Sequence, residues 1–319
     1  MHWADEMVVM DLRYDVSLLV GSGELPKHYL KYMEDIGRKI LRSLNRVLSR
    51  LELDDELLKK AVYHLVGRGK LVRGILSYIL GVSLGGDESK VLLVSTTAEL
   101  YHTASLIHDD IIDDSSFRRG VPTVHRQYGL NRAIIAGDLL IVYPNYLLSS
   151  LGGDVVRIFA EAGINLCDGE ALELNYLGRV DEVDLDLYNK IVYKKTASLF
   201  EKILEAVGHV SNRGDLIPVL RSLGRYLGMA FQYRDDVLDF IGDPNVMGKP
   251  SGMDVGKPNL IMVLMNTYGM GVDEALEYSY GLVSRYVAKS QAILNDIPIG
   301  SFHKEILHLL IDKLGERPG

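Results

Sequence analysis

The chain has 319 residues, a formal net charge of −8, 47% apolar residues and a single cysteine. This length suits one large domain or two ordinary ones, and the apolar content allows a sizeable buried core. The negative charge argues against nucleic-acid binding, and one cysteine excludes a disulfide framework. We therefore expect a cytoplasmic protein.

The predicted elements begin after an N-terminal extension, residues 1–22, which mixes acidic and apolar residues and does not read as a signal peptide. For residues 23–319 we predict a single all-α domain of about ten or more helices. Apolar residues recur there at helical spacing, as in 29–51 and 187–207. Alternating strand patterns are scarce.

The most apolar stretch is residues 132–148, which also carry Asp138 and Pro144. It has fewer residues than a bilayer-spanning helix usually needs, so we predict no transmembrane segment. Pro144 is expected to kink or end its helix.

An acidic cluster closes the predicted helix 92–114, with Asp109, Asp110, Asp113 and Asp114 in six positions. Aspartates four apart lie on one helical face and repel each other, and the helix C-terminus is already negative. Folding alone does not favour this placement. It indicates a Mg²⁺ site, and the arginine pair that follows at 118–119 suits phosphate oxygens.

A second cluster repeats the spacing D-D-x-x-D with Asp235, Asp236 and Asp239, again between apolar flanks. Buried carboxylates are costly unless they are paired or bound to metal. Two copies of an unusual pattern are explained together if both face one metal–diphosphate cluster. Solvated acidic helix ends are the alternative.

Several motifs resemble those of the trans-type isoprenyl diphosphate synthases, among them HDDIIDDSSFRRGVPTVH (108–125), FQYRDDVLD (231–239) and YKKTASLF (193–200). The resemblance covers about residues 60–260. It implies an isoprenoid-synthase-type helical bundle around a central cavity, most often a homodimer. It also implies an Mg²⁺-dependent transferase, with about three ions, that condenses isopentenyl diphosphate with an allylic diphosphate.

The resemblance also assigns roles to individual residues. The implied metal ligands are Asp109, Asp113, Asp235 and Asp239. The implied catalytic set is Asp109, Asp110, Asp113, Arg118, Lys195, Asp235 and Asp236. Implied binders of the allylic diphosphate are Arg118, Lys195, Thr196, Gln232, Lys249 and Lys257. The pocket for isopentenyl diphosphate is assigned to Lys70, Arg73, His102 and Arg119. For Gln232, a buried structural amide is the alternative.

The chain departs from the family pattern at two places. In GRGKLVRGIL, Leu71 stands where an arginine is usual and Gly74 replaces a proline. In GEALELNY, Glu170 and Glu173 stand where Gln and Asp are more common. The departures at Leu71 and Gly74 keep open a catalytically silent partner subunit. A terpene cyclase is another alternative, although the D-D-x-x-D spacing of the second motif argues against it. A longer-chain synthase of the hexaprenyl type is the alternative if Tyr101 points away from the tail tunnel.

Product length is predicted from the helix before the first motif, where bulky residues form the floor of the tail tunnel in the family. Ala104 and Ser105, five and four residues before Asp109, are small. Tyr101, eight residues before Asp109, lies about 12 Å below the metal site and would form the floor. This predicts a product longer than farnesyl, of about twenty to twenty-five carbons.

Overall fold

The structure is a computed structural model and describes residues 13–20, 25–242 and 256–315. The chain divides into two compact units, one of Met1–Val82 with Asp87–Val156 and one of Ser83–Gly86 with Arg157–Gly319. The prediction of one domain across 23–319 stays a prediction. Most of the predicted N-terminal extension lies outside the described residues.

The all-α prediction is confirmed. The helices of the first unit are α1 (Ser17–Val20), α2 (Lys27–Ser49), α3 (Glu56–Leu65), α4 (Val72–Ser83), α5 (Glu88–Ile112), α6 (Val124–Tyr128) and α7 (Leu130–Leu148). The second unit holds most of α8 (Gly153–Leu174), then α9 (Leu185–Val192), α10 (Ser198–Val210), α11 (Ile217–Gly242), α12 (Leu260–Tyr268), α13 (Val272–Asp296) and α14 (Ser301–Gly315).

Helix α5 belongs to the first unit and carries the first aspartate motif. Its N-cap is Asp87, whose side chain accepts hydrogen bonds from the backbone N–H groups of Ser89 and Lys90. It packs antiparallel to α7, because His108 near its end lies beside Gly137 while Tyr101, two turns earlier, contacts Asn145. A Cβ at Gly137 would lie 2.2 Å from His108 Nε2, so glycine permits this close approach.

Helix α7 runs through Pro144, so this proline does not end the helix, and a kink at this position stays a prediction. With the 3₁₀ turn that follows, the helical segment Leu130–Leu151 is long and apolar enough to cross a membrane. The prediction that this stretch is too short for that is therefore wrong on length. A core helix of a soluble protein meets the same criterion, so one such helix is weak support for a membrane span.

A small hairpin, which the sequence patterns did not predict, connects α5 to α6. Strands β1 (Phe117–Arg118) and β2 (Val121–Pro122) pair in antiparallel orientation, and the described residues contain no other strand. Arg119 and Gly120 form its two-residue turn, with φ of 53° and 77°. Positive φ at both positions is the geometry of a tight hairpin turn.

In the second unit, α11 lies against α10 and against the π-helix Tyr193–Ala197 that separates α9 from α10. Gly224 faces Glu201 of α10, and Gly228 faces the π-helix, where a Cβ would lie 2.3 Å from Cα of Ala197. The predicted helical stretch 187–207 is thus divided by a π-helical turn, a feature frequent at functional sites. That turn contains Lys195 and Thr196.

Candidate active site

The first aspartate motif occupies the C-terminal turn of α5, as predicted, although the helix ends at Ile112. Asp113 is its C-cap, and Asp114 has a left-handed φ of 51°. Asp109 and Asp113 are half-buried, one helical turn apart, whereas Asp114 is exposed and pairs with Arg126 at 2.7 Å. Asp114 is therefore more exposed to solvent than Asp109 and Asp113, the two predicted metal ligands of this cluster.

Asp110 is fully buried and is paired with Arg118 of strand β1. The Arg118 Nε and Nη2 atoms lie 2.8 and 2.6 Å from Asp110 Oδ1. Burial raises the pKa of Asp110, and the Arg118 guanidinium opposes that rise. Asp110 thus orients the arginine that was predicted to bind phosphate, while its second oxygen, Oδ2, is buried without a hydrogen-bond partner in the described ranges.

The predicted pocket for isopentenyl diphosphate is partly assembled within the first unit. Arg119 Nη2 lies 3.4 Å from His102 Nε2. Gly69, just before Lys70, packs on the Arg119 guanidinium, where a Cβ would lie 2.6 Å from Cζ. Burial, followed by the charges of Arg73 and Arg119, lowers the pKa of His102 well below its usual value. His102 is therefore a neutral acceptor for Arg119.

A buried carboxylate, Glu99, belongs to this pocket and was missed by the sequence analysis. Its Oε1 accepts the backbone N–H of Gly74 at 2.7 Å. Burial raises its pKa, and the positive charges of Arg73 and Arg119 oppose the shift. The sequence did contain a signal for Glu99, because a carboxylate inside an apolar helix needs a buried partner.

The departures at Leu71 and Gly74 have a local structural basis. Gly74 donates its N–H to Glu99, which a proline could not do. A Cβ at Gly74 would lie 3.0 Å from Glu99 Cγ, so the site is tight for any side chain. Leu71 is buried, with 4% of its surface exposed, and has a φ of 49°. At this position an apolar contact therefore replaces an arginine charge.

The second aspartate motif lies on α11, as predicted. Asp235 is half-buried and Asp239 is exposed, whereas Asp236 is buried. Asp236 accepts hydrogen bonds from Tyr188 Oη at 2.5 Å, Gln232 Nε2 at 2.8 Å and the Leu260 backbone N–H at 2.7 Å. Burial raises its pKa to about 6.

Gln232 links the second motif to the π-helical turn. Its Oε1 accepts a hydrogen bond from Thr196 Oγ1 at 2.6 Å, and its Nε2 donates to Asp236. Both ends of the amide are thus engaged within the protein. This agrees with the structural alternative for Gln232, while its role toward substrate stays a prediction.

Lys195 projects from the π-helical turn onto α8. Its Nζ lies 2.7 Å from Glu170 Oε2 and 2.5 Å from Glu173 Oε2. Burial raises the pKa of Glu173, and Lys195 opposes that rise. Lys257 Nζ lies 3.9 Å from the same Glu173 oxygen. Both glutamates that depart from the family pattern therefore contact Lys195, and Glu173 also lies near Lys257, so they pair with lysines that were predicted to bind phosphate. Lys249 lies outside the described residues.

The predicted length-determining residues follow one another on α5. Tyr101 and Ala104 are buried, with 2% and 0% of their surfaces exposed. Ser105 is half-buried and donates its hydroxyl to the His102 carbonyl at 2.9 Å. Small residues thus lie between Tyr101 and the first aspartate motif.

The carboxylates on these two helices suit Mg²⁺ by their chemistry. In the described part of the chain, no three Asp, Glu, His or Cys side chains lie close enough to hold a metal by themselves. Mg²⁺ usually takes only one or two protein carboxylates, together with waters and substrate phosphates. The oxygen donors of Asp109 and Asp113 and the unsatisfied Asp110 Oδ2 are compatible with that mode of binding.

These features define an all-α protein with an aspartate-rich motif on each of two helices and a cluster of basic side chains in each of the two units. The family model of polyprenyl synthetase matches residues 55–295. A short chain isoprenyl diphosphate synthase of Methanothermobacter thermautotrophicus is 32% identical over 285 residues, which cover 82% of this chain and 85% of that protein. An octaprenyl diphosphate synthase of Haemophilus influenzae is 32% identical over 235 residues, covering 72% and 71%.

Among solved structures, geranylgeranyl pyrophosphate synthetase of Pyrococcus horikoshii superposes with a TM-score of 0.77 at 27% identity, covering 92% of this chain and 99% of that one. The chain therefore belongs to the polyprenyl synthetase family. It is by class an isoprenyl diphosphate synthase, a transferase of prenyl groups. The resemblance, the helical fold type and the enzyme class predicted from the motifs are confirmed.

Proposed function

We propose that this enzyme adds isopentenyl diphosphate head-to-tail, in trans geometry, to an allylic diphosphate and releases a product of about twenty to twenty-five carbons. The observation that carries this is the repeated D-D-x-x-D motif on α5 and α11, with the Arg118–Arg119 pair after the first copy. The family match spans all of these residues.

The proposed chemistry is ionisation, condensation and elimination: the allylic carbon–oxygen bond breaks, the double bond of isopentenyl diphosphate forms a carbon–carbon bond to the allylic cation, and one proton is lost to the released diphosphate. The first step leaves negative charge on the departing diphosphate. Bound Mg²⁺, about three ions by family resemblance, supplies positive charge at that group. We propose Asp109, Asp113, Asp235 and Asp239 as the residues that hold the metal. Groups that stabilise the charge of the transition state more than they stabilise the ground state accelerate such a step.

The remaining polar residues divide between the two substrates. Arg118, oriented by Asp110, and Lys195 would bind the allylic diphosphate. The cluster of Arg73, Arg119 and neutral His102 would bind isopentenyl diphosphate, with Lys70. Separate cationic pockets are needed because two diphosphates repel each other. The apolar helices would keep water from the allylic cation.

The experiment is to incubate the purified chain with Mg²⁺, isopentenyl diphosphate and, separately, dimethylallyl, geranyl or farnesyl diphosphate. Chromatography of the dephosphorylated products should show chains of about twenty to twenty-five carbons. A second candidate, a longer-chain synthase, is favoured by the similarity to octaprenyl diphosphate synthase and would give products of thirty carbons or more. No turnover by the chain alone would indicate a silent partner subunit and contradict the proposal.

The Tyr101 floor has a direct test. We expect Tyr101→Ala to lengthen the main product by at least one isoprene unit, about one helical turn or 5 Å, because the bulky ring beneath Ala104 and Ser105 is removed. Product length is measured by chromatography with each primer. An unchanged length would remove Tyr101 as the floor without affecting the assignment of the reaction class.

Glu170 is expected to weaken binding of the allylic diphosphate, because it competes with phosphate for Lys195. Glu170→Gln should lower the KM for the allylic diphosphate by a factor of about five, the value of one modest ion pair. The matched control is Asp168→Asn, which removes a carboxylate from the neighbouring Lys194 and should leave this KM unchanged. Equal effects of both changes would contradict the role given to Glu170.

We also propose a homodimer that uses the exposed face of α7. Ile135, Val142 and Tyr146 lie on one side of this helix, with 50%, 64% and 72% of their surfaces exposed, and exposed apolar stripes of this kind favour association. Sedimentation should give the mass of two chains. Val142→Lys should give single chains, whereas Leu57→Lys, at an exposed leucine of α3, should not. A wild-type protein with the mass of one chain would contradict this proposal.

For the cellular location of the enzyme, we propose the cytoplasm.

A further inference from the structure

A side chain of α7 contacts the residue that is proposed to stop the product. Asn145 Nδ2 donates a hydrogen bond to Tyr101 Oη at 2.6 Å, although the two residues are 44 positions apart. Both residues belong to the first unit. Tyr101 has 2% of its surface exposed. The aromatic ring is thus fixed at Cβ by its own helix and at the hydroxyl by the neighbouring helix.

The contact lies at a defined depth below the first aspartate motif. Because α5 and α7 are antiparallel, Asn145 is level with Tyr101, while Gly137 is level with His108 beside the aspartates. Eight residues of α-helix between Tyr101 and Asp109 correspond to about 12 Å. This depth is where the tail of a product longer than farnesyl would end.

Stabilisation of α7 does not explain why an asparagine stands at position 145. Its Nδ2 also donates to the Ile141 carbonyl at 3.0 Å. Its Oδ1, however, is buried without a hydrogen-bond partner in the described part of the chain. An unsatisfied buried oxygen is disfavoured, and a leucine would fill the same space without that cost. The contact with Tyr101 is the visible gain from asparagine here.

We propose that Asn145 is a positioning residue for product length: it pins the Tyr101 ring across the path of the growing prenyl tail. This inference rests on the proposed function and on Tyr101 as the floor. A tail that pushes the ring aside must break this hydrogen bond between Asn145 and Tyr101. An apolar floor would offer no comparable resistance to side-chain rotation.

The test compares the products of wild type, Asn145→Leu, Tyr101→Phe and the double variant at one fixed ratio of isopentenyl diphosphate to farnesyl diphosphate. Each single variant should raise the ratio of longer chains to the wild-type main product by about three- to tenfold, the value of one hydrogen bond. The double variant should exceed neither single variant, because both remove the same interaction.

Tyr143→Phe is the matched control, since Tyr143 Oη on the same helix donates to the Val47 carbonyl at 2.7 Å. It should leave the product ratio unchanged. If Asn145→Leu and Tyr101→Phe keep the wild-type profile while Tyr101→Ala lengthens the product, this inference is wrong and the proposed function stands. An equal shift from Tyr143→Phe would also overturn it. If Asn145→Leu does not fold, Tyr101→Phe alone decides.

Discussion

Replacing Asp109 by asparagine is expected to lower kcat for condensation by about a hundred- to a thousandfold, the typical loss when one group that stabilises transition-state charge is removed. Asparagine keeps the shape of the side chain at the end of α5 but removes the charge that would hold Mg²⁺. Steady-state rates at saturating Mg²⁺ and both substrates measure the effect.

Asp114→Asn is the matched control for this change. Asp114 belongs to the same acidic run, but its side chain is 80% exposed and pairs with Arg126. Asparagine also tolerates the left-handed φ of 51° at this position. We expect kcat to stay within about twofold of wild type, since exposed ion pairs contribute little. If both variants lose activity equally, the cluster acts only through its total charge, and the assignment of Asp109 as a ligand is wrong.

Asp235 and Asp236 are adjacent, but we expect the substitution of Asp236 to lower stability and the substitution of Asp235 to lower activity. Asp236→Ala should lower the free energy of unfolding by about 3 kcal/mol or more, because three donors, from Tyr188, Gln232 and Leu260, lose their buried acceptor. Asp235→Asn should leave the free energy of unfolding within about 0.5 kcal/mol but lower kcat as Asp109→Asn does. Urea denaturation and steady-state kinetics on the same preparations separate the two effects.

The opposite pattern would contradict the account of the second motif. If Asp236→Ala is as stable as wild type, the buried hydrogen bonds do not anchor the start of α12 to α11. If Asp235→Asn keeps full turnover, that carboxylate is not a metal ligand. Either result would require new roles for the residues of this helix.

Sequence spacing was sufficient to predict the helices that carry both aspartate motifs. Apolar residues at helical intervals specify α5 and α11, and carboxylates four apart on such helices already indicate a bound cation. The end of α5 was predicted two residues late because its boundary depends on the conformations of Asp113 and Asp114, which the apolar pattern does not encode.

The features that the sequence did not reveal depend on contacts between distant residues. Glu99 meets Gly74 across 25 positions, and Asn145 meets Tyr101 across 44. Neither pair follows from local periodicity. The hairpin turn at Arg119 and Gly120 had a weak signal, a glycine next to a short extended segment. The π-helical turn at Lys195 had none, because its residues also suit an ordinary helix.

We propose that both aspartate motifs bind the same magnesium–diphosphate group, as the repeated D-D-x-x-D spacing predicts. The most direct measurement is calorimetric titration of inorganic diphosphate into the wild-type protein and into the variants Asp109→Asn and Asp235→Asn, each with Mg²⁺ and with EDTA. We predict that binding to the wild type requires Mg²⁺ and that each variant weakens it at least about tenfold, or 1.4 kcal/mol. Binding that persists in EDTA, or that is unchanged in either variant, would contradict the claim.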